Sequence, residues 1–128
     1  MINKRVLIID DEPDVTLLFK IVLEQNGFKV DSFNDPLAAL SNFKPDSYDL
    51  VILDIKMPNI DGFELYRRIM KMDNKVKACF LTASEMYYEE FRKQEYCTLD
   101  KTLFIRKPID NDELLREINK IMNHANKY

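Results

Sequence analysis

Asp10 and Asp11 stand side by side at the end of an apolar run, Val6-Leu7-Ile8-Ile9. A second run, Leu50-Val51-Ile52-Leu53, also ends in an acid, Asp54. If the two runs are neighbouring parallel strands, three carboxylates meet at one sheet edge. Ionising so many acids together is costly unless a cation neutralises them. Fold stability gives no reason for such a gathering, whereas binding a hard cation such as Mg2+ does. Two more chemically useful groups follow apolar runs. Thr82 comes after residues 76–81, and Lys107, itself followed by Pro108, comes after residues 103–105.

A scaffold that brings these ends together is legible in the rest of the chain. Strand-like and helix-like segments alternate throughout. Residues 6–10 read as a buried strand. Val15, Leu18, Phe19, Val22 and Leu23 then form a helical stripe that Gly27 stops at C′. Residues 28–33 predict a second strand, and 36–43 a second helix with Asp35 as cap and Pro36 in its first turn. Further strands are expected at 50–53, 76–81 and 103–105, and further helices at 62–72 and 85–95. The final helix opens with Asp110 and carries Glu113 three residues on, a capping-box signal. Its apolar face holds Leu114, Leu115, Ile118, Ile121, Met122 and Ala125. Such alternation argues for an α/β fold with a parallel sheet covered on both faces. In such sheets ligands lie beyond the carboxyl ends of the strands.

Composition narrows the function. The chain has 128 residues, 46% hydrophobic and 32% charged, with a formal charge of -3. These values fit one globular domain and argue against nucleic acid as the partner. The domain is expected to span 1–124, with 125–128 as a short tail. The start, Met-Ile-Asn-Lys-Arg-Val, superficially resembles a signal peptide, but its apolar run is short and ends in acids. No stretch is long enough to span a membrane. Cys79 and Cys97 have no metal or redox spacing, Cys79 reads as a buried small hydrophobe, and a reducing, cytoplasmic setting is expected. Met70, Met72 and Met122 read as core, and His124 as surface.

Four segments carry a resemblance: Val-Leu-Ile-Ile-Asp-Asp-Glu-Pro, Leu-Asp-Ile-Lys-Met-Pro-Asn-Ile-Asp-Gly, Phe-Leu-Thr-Ala and Phe-Ile-Arg-Lys-Pro-Ile. In this order and spacing they resemble the receiver domain of two-component response regulators. The resemblance implies a flavodoxin-like (βα)5 three-layer sandwich, its parallel five-stranded sheet in the order 2-1-3-4-5. It implies that Asp54 accepts the phosphoryl group. Asp11, Asp54 and the backbone carbonyl of Lys56 would hold Mg2+ (or Mn2+), with Asp10 acting through water. Lys107 would pair with Asp54 and then with a phosphoryl oxygen, and the Thr82 hydroxyl would bond another. Thr82 and Phe104 would form the switch, and Lys107-Pro108 would be a cis peptide. Three features depart from the family pattern. The helix expected at 85–95 is unusually hydrophilic, with Tyr87-Tyr88 and a polar run from Glu89 to Glu95. The stretch 95–101 has no glycine, and Phe104 lacks the hydroxyl of the common tyrosine.

The expected activity is that of a single-domain signalling protein, not an enzyme beyond self-catalysed phosphotransfer and autodephosphorylation. The implied partners are a sensor histidine kinase and a downstream protein. A phosphorylation-dependent homodimer through the face of helix 85–95, the last strand and the last helix is also implied. An alternative is a phosphorelay intermediate. Two rivals come from other classes. A metal-dependent aspartyl-phosphate phosphohydrolase resembles Asp-x-Asp, whereas Lys56 stands two after Asp54. A flavodoxin-like FMN binder needs a phosphate-cradling loop, where this chain has Asp10-Asp11-Glu12-Pro13-Asp14.

Overall fold

A computed structural model describes residues 4–83 and 102–124. Its elements are β1 (Arg5–Ile9), α1 (Pro13–Gln25), β2 (Lys29–Phe33), α2 (Pro36–Asn42), β3 (Leu50–Asp54), α3 (Gly62–Met72), β4 (Lys77–Thr82), β5 (Thr102–Arg106) and α4 (Asn111–His124). The expected helix at 85–95, the segment 95–101, Cys97 and the tail 125–128 lie outside the described residues, as does the side chain of His124.

The five strands are all parallel, in the order β2-β1-β3-β4-β5. This is the flavodoxin-like order that the resemblance implied. β1 and β3 are continuous apolar runs because both faces of a parallel sheet are covered. Alternation within each strand then sends side chains to opposite layers. Leu7, Ile9, Val51 and Leu53 pack with Phe63, Leu65 and Ile69 of α3. Val6, Ile8, Leu50 and Ile52 pack with Phe19 and Leu23 of α1 and with Leu114 and Ile118 of α4. Each fully buried aliphatic side chain contributes roughly 1.5–3 kcal/mol.

Local signals set the helix ends. The Asp35, Asp61 and Asp110 carboxylates accept the Leu37, Glu64 and Glu113 amides at 3.1, 2.9 and 2.8 Å. After α1, Gly27 takes φ +92°, the Gly27 amide bonds Glu24 O at 3.3 Å and the Phe28 amide bonds Leu23 O at 3.1 Å. That Schellman closure is why a glycine stands there. Strand bounds shift by a residue or so from those expected. β5 runs from 102 to 106 because it pairs with β4 from Ala78 to Thr82.

Two core expectations are corrected. Leu18 is 47% exposed, because the buried face of α1 centres on Phe19, Val22 and Leu23, about 100° around the helix from it. Met72, the last residue of α3, is 38% exposed. Cys79 and Met122 are buried, as the sequence indicates. No helix among the described residues is long and apolar enough to cross a membrane.

Candidate functional site

Register brings the chemical residues together. Ile9 pairs with Leu53 across β1 and β3, so Asp10 and Asp54 are the next residues along neighbouring strands. Asp54 pairs with Leu81, which places Thr82 one residue further along β4. Thr82 pairs with Arg106, and the Lys107 amide bonds Thr82 O at 2.7 Å, which carries the lysine to the same edge. Asp10, Asp54 and Thr82 are all buried.

Asp10 is the innermost acid, with no exposed surface. Its Oδ1 accepts the Glu12 amide at 3.0 Å, and its Oδ2 accepts a hydrogen bond from Lys107 Nζ at 2.7 Å. Lys107 Nζ also bonds Glu12 Oε1 at 3.0 Å and stands 3.8 Å from Asp54 Oδ2. The lysine is therefore nearer to Asp10 and Glu12 than to Asp54. An acid without access to water needs its counter-charge most. Asp11 is exposed, and its negative charge acts on Asp54. Asp11, Glu12, Asp54, Lys56, Thr82, Ala83 and Lys107 line a cavity of about 360 Å³ over the acids. A larger cavity of about 770 Å³ lies along β2 and holds none of these groups.

The Lys107–Pro108 peptide is cis. Gly62 opens α3, and its amide bonds Ile55 O at 2.7 Å. A Cβ there would stand 2.5 Å from Asp54 O, so the loop after Asp54 closes only over a glycine. Phe104 lies opposite Phe80 in the β4–β5 register and is half-buried against the core layer that holds Phe80.

Electrostatics follow from the crowding. Burial and the charge of Asp10 push the Asp54 carboxyl up to about 7; the Lys107 ammonium pulls the other way but does not offset them, and Asp11 adds to the rise. Burial disfavours the Lys107 charge, yet its hydrogen bond to Asp10 and the charges of Asp54 and Glu12 hold its pKa above the usual lysine value. The lysine is thus a permanent cation in a cluster with more acids than bases. Oxygens of Asp10, Glu12 and Asp54 lie within 4.8 Å of one another. A set of hard carboxylate donors with surplus negative charge fits a Mg2+ site.

Every candidate on the strand ends converges on this edge, together with Lys56. Phe104 lies away from the acids, in the core layer. Nothing in the sequence singles out Glu12, although it stands in the Asp10–Asp14 acidic run. Only the approach of Lys107 shows its part.

A family model described as the response regulator receiver domain matches residues 6–119. The chain is 30% identical to sporulation initiation phosphotransferase F of Bacillus subtilis, with 95% of this chain and 96% of that protein covered. A solved receiver domain protein of Methanospirillum hungatei superposes with a TM-score of 0.81 at 25% identity, covering 98% of each chain. The response regulator TrrA of Thermotoga maritima, solved in complex with Mg2+-BeF, gives 0.75 at 33% identity, covering 92% of this chain and 98% of that one. The chain spans only part of the length of other curated relatives it matches, 46% of one and 10% of another. Sequence motifs, sheet order and these likenesses agree: the chain belongs to the response regulator receiver domains, the phosphoacceptor modules of two-component systems.

Proposed function

We propose that Asp54 is the phosphoacceptor and that the chain acts as a single-domain response regulator fed by a sensor histidine kinase. The observation that carries this reading is the placement of Asp54, buried at the sheet's carboxyl edge, lining the cavity, with Lys107 at 3.8 Å. An ionised Asp54 oxygen attacks the phosphorus of a phosphohistidine. The new O–P bond forms as the N–P bond breaks, and the electron pair leaves with the imidazole nitrogen. Lys107 then turns from its carboxylate partners to a phosphoryl oxygen, and the Thr82 hydroxyl bonds another. Asp11, Asp54 and the Lys56 carbonyl would hold Mg2+, Asp10 would act through water, and Glu12 is a further carboxylate within reach. When bound, Mg2+ supplies positive charge that screens the acids and the phosphoryl oxygens.

The donor must bring its histidine to the cavity mouth, so its surface must rest on the rim. The rim is apolar on one side. Val15, Leu18, Phe19, Pro108 and Ile109 line an adjoining cavity of about 420 Å³ that shares Glu12, Ala83 and Lys107 with the first. Leu17 and Ile21 extend the apolar surface along α1, 58% and 45% exposed. A helical surface carrying phosphohistidine suits this face.

Output would follow from movement of Thr82 toward the phosphoryl group and of Phe104 into the space beside β4, with pairing of two copies through the β5 and α4 face as one readout. A relay role is the second reading, favoured by the end-to-end likeness to sporulation initiation phosphotransferase F. Incubation with a small-molecule phosphodonor and Mg2+, followed by intact mass, tests the core of the proposal. One phosphoryl adduct is expected on the wild type and none on Asp54→Asn. An undiminished adduct on Asp54→Asn would refute the assignment. Transfer of labelled phosphate onward to a histidine phosphotransfer protein would select the relay.

A further inference from the structure

The last rung between β1 and β2 is the Asp10 amide on Phe33 O, at 3.2 Å. Beyond Phe33 the chain turns away into α2, so no strand remains beside the Asp10 carbonyl. The side chain of Asn34 takes that place. Its Nδ2 donates to Asp10 O at 2.9 Å and to Thr16 Oγ1 at 3.0 Å. Thr16 is buried in the first turn of α1, and its hydroxyl donates to Pro13 O at 3.0 Å. One amide thus ties the end of β1 to the start of α1, across the segment that carries Asp10, Asp11 and Glu12. The carboxylate end of Asp10 is held from the other side by the Glu12 amide and Lys107.

We infer that Asn34 is a positioning residue for the acidic segment, setting through Thr16 and the Asp10 peptide where these carboxylates stand for a divalent cation. The inference rests on the cation reading above. Both hydrogens of the Asn34 amide are used, one on each acceptor, and alanine supplies neither. Partners that orient metal ligands typically change affinity by 10–100-fold when removed. Asn34 acts through a peptide rather than on a carboxylate, so the lower end, about tenfold, is expected.

The test is a calorimetric Mg2+ titration of chelator-stripped full-length protein, with folding checked by circular dichroism. Asn34→Ala should weaken Mg2+ binding about tenfold and Thr16→Val a few-fold. Thr16→Ser, which keeps the hydroxyl, should retain wild-type affinity even if its melting point falls. In metal-free protein the Glu12 amide resonance should move in Asn34→Ala. Wild-type Mg2+ affinity in both Asn34→Ala and Thr16→Val would overturn the inference and leave Asn34 a purely structural tie. A wild type that shows no Mg2+ binding would bring down the cation reading itself, and this inference with it.

Discussion

Asp54 should destabilise the metal-free protein, and removing its charge should strengthen the fold. Its carboxyl is displaced from an ordinary 3.8 to about 7, chiefly by burial and by the charge of Asp10. A displacement of that size corresponds to roughly 4 kcal/mol between protonation states. The cavity side of Asp54 faces solvent, which screens the repulsion, so about half, roughly 2 kcal/mol, is the expected cost of ionisation. Between about pH 4 and pH 7 the folded state keeps a proton that the unfolded state releases, so stability falls as pH rises and levels off above about pH 7. Asp54→Asn removes this cost. In chelator at about pH 8 its urea midpoint should therefore exceed the wild-type value by an amount worth roughly 2 kcal/mol. The gap should shrink as the pH falls below about 7 and close near pH 4. Excess Mg2+ should narrow it at the higher pH, since a cation bound only by the folded wild type adds to that protein's stability. Equal or lower stability of Asp54→Asn at pH 8, or a gap that ignores pH, would refute the claim that burial and Asp10 outweigh Lys107 at this carboxylate.

Other predictions follow from contacts at the same edge. Gly62→Ala forces a Cβ against the Asp54 carbonyl and should cost roughly 1–3 kcal/mol by denaturant melt while slowing phosphorylation. Glu12→Gln removes a negative charge that Lys107 now faces at 3.0 Å, and should speed labelling by a small anionic phosphodonor at saturating Mg2+. Because Glu12 is largely exposed, its effect on stability should stay within about 1 kcal/mol. Leu18→Asp should slow phosphotransfer from a cognate kinase at least tenfold, roughly the worth of 1.4 kcal/mol at an interface, yet leave small-molecule labelling unchanged. Equal loss in both assays would place Leu18 in the fold rather than in docking.

Much of the architecture was legible without coordinates because it is written in short-range patterns. Apolar runs marked β1 and β3, Asp35 and Asp110 marked helix starts, and Gly27 marked a helix end. The backbone geometry at these points depends on only a few neighbouring residues. Asp10, Asp54, Thr82 and Lys107 could be named because strand ends in a parallel sheet share one edge whatever the packing detail. Tertiary structure decided which charges meet. Lys107 reaches across 97 positions to Asp10, the most deeply buried of the acids, and also meets the exposed Glu12. Depth is a property of the whole sheet, so no local spacing encodes it. The same holds for Leu18, whose apolar character could not say whether it would face the core or solvent, and for Asn34, whose amide gains two partners only where β2 diverges from β1.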